Sequence, residues 1–274
     1  MPAFFSNEIS NSSFKLDGLR FITVKSKALK TRADITVYLP QNVLPKAVVI
    51  LLHGVYGSHW AWALNGGVHT TTQKLIDENK MEPMALIMPS DGLYGDGSAY
   101  LPHVSADYEK WITAEVMQAV KEKLNIITDD LPVFITGLSM GGYGAMRLGA
   151  KYPDVFTTFS GLSSITDFNQ MKLFLENNDD SYLKQSVQYQ ESVLQCILAN
   201  KNSLRNFRFD CGTEDLLIDF NRALQQELLR QNIAHTYQEY PGGHEWIYWQ
   251  QHIEETMLFF NQFIKDIVEP GSRT

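Results

Sequence analysis

Three side chains carry chemistry that only works in combination. Ser139 sits in Gly137-Leu138-Ser139-Met140-Gly141, a Gly-x-Ser-x-Gly pentapeptide. A serine hydroxyl is a weak nucleophile until a base takes its proton, and that base needs a carboxylate to hold its tautomer and stabilise the imidazolium. Asp215, in Gly212-Thr213-Glu214-Asp215, and His244, in Gly242-Gly243-His244, follow Ser139 in the chain order Ser, Asp, His. Glu214 is the runner-up for the acid, with Asp210 at a strand end and Asp219 in the following helix as weaker candidates. Among the other histidines, His235 falls in a strand and His252 in a helix. His53 belongs to a glycine loop, and His59, His69 and His103 have no matching position after the last strand.

These residues need elements that bring them to one place. Val133-Phe134-Ile135-Thr136 is an apolar, β-branched run leading into the pentapeptide, and Ala145 to Lys151 reads as a helix directly after it. Strand, sharp turn and helix are the form of a nucleophile elbow, in which small neighbours allow a strained backbone and the helix start directs its positive end at the reacting centre. Upstream, Phe21–Lys25 and Ala33–Pro40 alternate as an antiparallel edge hairpin, whereas Ala47–Leu52 and Met84–Met88 are apolar throughout, as buried parallel strands are. Helical spacing recurs over Thr70 to Asn79, Tyr108 to Lys123, Leu217 to Gln231 and Glu245 to Val268. Further strands are expected at Phe156–Gly161, Phe207–Cys211 and Ala234–Tyr240. Such alternation predicts a mostly parallel sheet with helices on both faces, an α/β fold whose site lies at the C-terminal strand ends. Ser139, Asp215 and His244 each fall just beyond such an end.

Length and composition bound the rest. A chain of 274 residues is expected to form one domain, with a small helical, cap-like insertion at about 163–205. The net charge of −8, with no basic stripe, argues against a nucleic-acid partner, and no apolar run is long enough to cross a membrane. The first residues lack the basic start and apolar segment of a secretory signal, which predicts a cytoplasmic location. Cys196 and Cys211 are expected as free thiols. No metal-ligand pair is evident and no cofactor is expected; in the long loop 90–103, Asp91 and Asp96 lack calcium-loop spacing. Tyr94 and Tyr100 of that loop, with Trp60 and Trp246, are candidates to stack on a sugar or aromatic group, against a plain packing role for each. A homo-oligomer is left open.

Together, Leu51-Leu52-His53-Gly54, Met88-Pro89-Ser90, Gly137 to Gly144, Cys211 to Asp215 and Gly242-Gly243-His244-Glu245-Trp246 resemble the esterase D-like "putative esterase" family of the α/β-hydrolase superfamily. That group includes tributyrin and feruloyl esterases and S-formylglutathione hydrolases. The resemblance runs from about residue 20 to residue 265. It implies an α/β-hydrolase fold and a serine carboxylesterase acting on small-molecule short-chain acyl or aryl esters through an acyl-enzyme. It also implies that Val55, after His-Gly, and Met140, after the nucleophile, present the oxyanion N–H groups. Val55-Tyr56-Gly57-Ser58 departs from the S-formylglutathione hydrolase pattern, which places that thioester activity behind the tributyrin and feruloyl branch. An acyltransferase is the principal alternative, and a non-catalytic binding protein a distant one.

Overall fold

The computed structural model describes Phe4, residues 6–11, Ser13, and residues 16–175 and 192–268, with side chains through position 264. Among these, a nine-stranded sheet runs in the order β1-β2-β3-β5-β4-β6-β7-β8-β9. Its antiparallel edge is β1 (Asn7–Ile9), β2 (Leu19–Lys25) and β3 (Arg32–Tyr38), which meets β5 (Met84–Pro89) in antiparallel register. From there β4 (Ala47–Leu52), β6 (Val133–Gly137), β7 (Thr158–Leu162), β8 (Phe207–Gly212) and β9 (His235–Tyr240) are all parallel.

The apolar runs of β4 and β5 are buried because both of their faces are covered. Alternate side chains point to opposite faces, so Val48, Ile50 and Leu52 join one core while Ala47, Val49 and Leu51 join the other. The first core is closed by α3 (Tyr108–Lys110), a π-helical turn (Trp111–Glu115), α4 (Val116–Lys123), α5 (Met140–Lys151), α6 (Val193–Asn200) and α7 (Ile218–Arg230). The second is closed by α1 (Ala61–Leu64), α2 (Val68–Asp77) and α8 (Trp246–Val268), with Phe134 of β6 stacked on Phe260 of α8 at 4.8 Å. Helices on both faces of a mostly parallel sheet are the expected α/β-hydrolase arrangement. The π turn inside the expected helix 108–123 has no sequence signal. It accompanies the Trp111 indole N–H donating to Ser90 O at 2.8 Å and the Glu115 carboxylate accepting from Ala28 N at 3.0 Å.

The expected cap at 163–205 divides. Its first part, through a 3-10 turn (Phe168–Leu173), leads to Phe174 beside the site described below, and residues 176–191 lie outside the described residues. Its last part, α6, packs against α5, because Val193, Cys196 and Ile197 supply an apolar face that belongs to the core under the sheet rather than above it. Ser192 caps α6 reciprocally with Gln195.

The joint between β6 and α5 is closely packed backbone to backbone. A Cβ on Gly137 would lie 2.3 Å from Gly141 O, and one on Gly141 would lie 2.2 Å from Leu52 O and 2.5 Å from His53 O. All three obstacles are backbone, so none can swing aside. On its far side α5 is anchored by Arg147, which is fully buried, ion-paired to Glu109 and donating to Tyr100 O at 2.7 Å. Burial would raise the Glu109 carboxyl, but Arg147, the Tyr152 hydroxyl and Lys151 outweigh it and hold it below the usual glutamate range.

Three outcomes follow from these contacts. Gly141→Ala forces two carbonyls apart and is expected to abolish activity and destabilise the fold by about 3 kcal/mol or more, read by thermal melting and ester turnover. Arg147→Ala leaves a buried carboxylate uncompensated and is expected to cost about 3–5 kcal/mol in urea unfolding. Because the Glu109 pKa is depressed, the stability it contributes is present above the ordinary glutamate value and is lost as pH falls through the folded value. Glu109→Gln should therefore be less stable near neutrality yet flatter in acid.

Candidate active site

Ser139 occupies the turn between β6 and α5 with φ 55° and ψ −120°, a conformation that L residues avoid unless their surroundings impose it. The surroundings do so through the backbone. Its N–H donates to Leu162 O at 3.0 Å, and its carbonyl accepts from Tyr143 N at 3.0 Å and Ile165 N at 3.2 Å. The side chain is thereby presented at the C-terminal end of the sheet.

The other two residues arrive on turns that are hydrogen-bonded to each other. Thr213 N donates to Tyr240 O at 2.8 Å and Glu214 N to Gly242 O at 3.0 Å, while Gly212 and Gly242 pack so closely that a Cβ on Gly212 would lie 2.2 Å from Gly242 O. Gly242 needs its freedom, with φ 134°. These contacts place His244 between Asp215 and Ser139. Nδ1 of His244 lies 2.9 Å from Asp215 Oδ2 and 3.1 Å from Oδ1, and Nε2 lies 2.9 Å from Ser139 Oγ. Asp215 is buried and also accepts from Leu217 N at 2.8 Å. An ionised carboxylate only accepts, so Nδ1 carries the proton and Nε2 is left to accept the serine hydroxyl proton.

The structure separates Asp215 from its competitors. Glu214 and Asp219 are exposed. Asp210 is buried 3.0 Å from Arg208 Nη2 and accepts from the Tyr248 hydroxyl at 2.9 Å; burial pushes its carboxyl up to about 6 despite both partners. The remaining histidines are engaged elsewhere, for example His59 with Thr36 Oγ1 at 2.8 Å and His252 stacked on Tyr240 at 4.1 Å.

Ser139 and His244 open into a cavity of about 500 Å³ with aromatic walls. Trp60 and Trp246 line it, as does Val55. The Val55 N–H and the Met140 N–H, the latter at the first position of α5, donate to no acceptor among the described residues. Tyr56, Phe174 and Trp249 also line the cavity and were not singled out from sequence. Trp249 could have been, since it lies three positions from Trp246 and so shares its helix face; it meets the His244 ring edge-on at 5.0 Å. Phe174, 5.2 Å from the His244 ring, carries no local signal and is delivered by the loop after β7.

Tyr94 and Tyr100 do not line the cavity, which corrects the expectation that they meet substrate. Tyr100 is buried beneath it: its hydroxyl donates to His53 O at 2.9 Å and its ring fills the space that a Cβ on Gly144 would need. Tyr94 packs on His103 and Tyr108, with ring centroids 4.7 and 5.9 Å away. A buried phenol satisfies its hydroxyl before it can serve as a rim. Asp91 binds its own loop, accepting from Leu93 N at 2.9 Å and Ser98 N at 2.7 Å.

Known proteins resemble this chain in sequence and in fold. An acetyl esterase of Caldicellulosiruptor saccharolyticus is 26% identical over 262 residues, covering 85% of this chain and 94% of that protein. A solved ferulic acid esterase superposes with a TM-score of 0.78 at 23% identity, covering 95% of this chain and 99% of its own. The fluorophosphonate-binding serine hydrolase F of Staphylococcus aureus superposes with a TM-score of 0.73 at 24% identity, over 88% of this chain and 97% of its own. The model of the family described as "Putative esterase" matches residues 26–260. With that span taking in Ser139, Asp215 and His244, the chain belongs to this esterase family and is a hydrolase acting on ester bonds.

Proposed function

We propose that Ser139, His244 and Asp215 are the catalytic triad of a serine carboxylesterase that works through an acyl-enzyme. The observation that carries this reading is the pair of 2.9 Å contacts made by the two nitrogens of one imidazole, to a serine hydroxyl on one side and a buried carboxylate on the other. As Ser139 Oγ attacks the ester carbonyl, His244 Nε2 takes its proton and Asp215 stabilises the imidazolium. The carbonyl oxygen, now an oxyanion, is received by the Val55 and Met140 N–H groups, the second of which adds the positive end of α5. His244 then returns the proton to the leaving alcohol oxygen. In the second half, His244 takes a proton from water as its oxygen attacks the acyl carbon, and on collapse His244 returns that proton to Ser139 Oγ as the acid leaves.

Substrate size follows from the cavity. At about 500 Å³ it lies in the range of small-ligand pockets, and Tyr56, Trp60, Phe174 and Trp246 offer apolar faces rather than charge. Short acyl or aryl esters suit it, in keeping with the acetyl esterase and ferulic acid esterase to which the chain is similar. The buried thiols of Cys196 and Cys211, which are not joined in a disulfide, support a reducing, cytoplasmic setting as part of the same proposal.

Ser139→Ala is expected to lower kcat on a short p-nitrophenyl ester by about 10⁴-fold or more, and Asp215→Asn by about 10⁴-fold. Near-normal turnover by Ser139→Ala would remove the assignment. Product analysis with added acceptor alcohols is expected to return the free acid; transfer to the alcohol as the main outcome would make the enzyme an acyltransferase. A panel of acetyl, butyryl and feruloyl esters with a glutathione thioester is expected to rank the thioester last.

A further inference from the structure

Under the cavity floor lies a buried imidazole that the reaction above does not use. His53 is 2% exposed, at the end of β4, and each of its ring nitrogens has one backbone partner. Asp91 N donates to Nε2 at 3.0 Å, and Nδ1 lies 2.7 Å from Gly54 O. Asp91 Oδ1 lies 3.6 Å from Nε2, beyond hydrogen-bond distance, and a backbone N–H can only donate, so Nε2 is the acceptor and Nδ1 carries the proton that is donated to Gly54 O. Gly57 N donates to the same oxygen at 3.2 Å.

That carbonyl belongs to the peptide whose other end is Val55 N–H. In a planar trans peptide the C=O and N–H point in opposite directions. Drawing Gly54 O down onto His53 and Gly57 therefore turns Val55 N–H away from them. The same peptide lies against the nucleophile, since a Cβ on Gly54 would be 3.3 Å from the Ser139 Cβ, and Gly54, Val55 and Ser139 line one cavity. We propose that His53 is a positioning residue: its Nδ1–H, fixed in that tautomer by the Asp91 backbone, aims the Val55 N–H at the ester oxygen.

The surrounding loop is built to hold this arrangement. The Asp91 carboxylate accepts from Leu93 N and Ser98 N, which folds residues 91–98 into a closed turn and immobilises the Asp91 N–H. Asp96 O of that turn accepts from Tyr56 N at 2.9 Å, and Tyr56 has a left-handed φ of 58°. The Tyr100 hydroxyl holds the His53 carbonyl. A Cβ on Gly57 would lie 2.8 Å from His53 Nδ1, so the ring is clamped from above as well. Val55 is thus flanked on both sides by residues tied to the 90–100 loop.

The test separates the donor from the bulk of the ring. The Asn amide nitrogen occupies the place of Nδ1 and can still donate to Gly54 O, whereas the Gln side chain reaches the place of Nε2 and leaves Gly54 O without its donor. On a short p-nitrophenyl ester, His53→Gln is expected to lower kcat about 10- to 100-fold with KM little changed, somewhat less than outright loss of an oxyanion donor. His53→Asn should recover at least threefold of that loss. Inhibition by a trifluoromethyl ketone, which forms a hemiketal oxyanion on the serine, should weaken in the same order. Equal kcat for the two variants, or wild-type kcat for His53→Gln, would overturn the proposal.

If neither variant folds, imidazole ¹⁵N NMR of the wild-type enzyme decides: a protonated Nδ1 on His53 supports the proposal and a protonated Nε2 sinks it. The inference rests on the esterase reading above, and the two fail separately. Activity in Ser139→Ala would remove that reading, whereas a dead Ser139→Ala beside a fully active His53→Gln would remove only the role of His53.

Discussion

Backbone against backbone, with no side chain between, is the constraint on which the rest of this molecule depends. Where β6 turns into α5, Gly141 lies on the carbonyls of Leu52 and His53 and Gly137 lies on the carbonyl of Gly141. This closeness brings the start of α5 beside the end of β4, so the Met140 N–H and the Gly54–Val55 peptide both border Ser139. The left-handed backbone of Ser139 is the strained consequence, held by hydrogen bonds from Ser139 to Leu162 and from Tyr143 and Ile165 to Ser139. Strain of this kind persists only where neighbouring structure over-determines it, and the two apolar cores on either side of β4 supply that rigidity.

The site is then assembled by loops that grip one another through main-chain atoms. Thr213 to Tyr240 and Glu214 to Gly242 join the acid and histidine turns, and Ser163 N to Asp210 O joins the loop after β7 to the end of β8. Main-chain bonds leave side chains free for chemistry. They also mean that Asp215 and His244, 29 positions apart, are aligned by strand register between β8 and β9 rather than by local sequence. On the opposite side, the 90–100 loop supports the Val55 segment in a comparable way. The Asp91 carboxylate closes that loop from within, accepting from Leu93 N and Ser98 N.

Much of this was legible in the chain. Apolar β-branched runs marked β4, β5 and β6, and Gly-x-Ser-x-Gly between a strand and a helix marked the elbow. Chain order and strand ends pointed to Asp215 and His244. Element ends were less legible: α2 begins at Val68 because Gly67 adopts a left-handed φ of 59° there, earlier than the Thr70 expected from periodicity. Aromatic residues were the least legible. Tyr100 and Trp246 carry similar apolar bulk, yet one is sealed beneath the floor by a hydroxyl bond to His53 O and the other lines the cavity. Nothing local to Phe174 or Tyr56 announces that they share a wall.

By itself, then, the sequence pointed to serine-hydrolase chemistry, because a candidate nucleophile, base and acid are legible from residue type, from glycine at positions that exclude a Cβ, and from placement after strands whose patterning is local. Tertiary structure alone decided how Asp215 and His244 come within 2.9 Å of each other, which aromatic rings line the cavity, and how the Gly54–Val55 peptide is held. Each of these is a contact between residues far apart in the chain, or an orientation of a peptide plane, and composition and periodicity do not encode either.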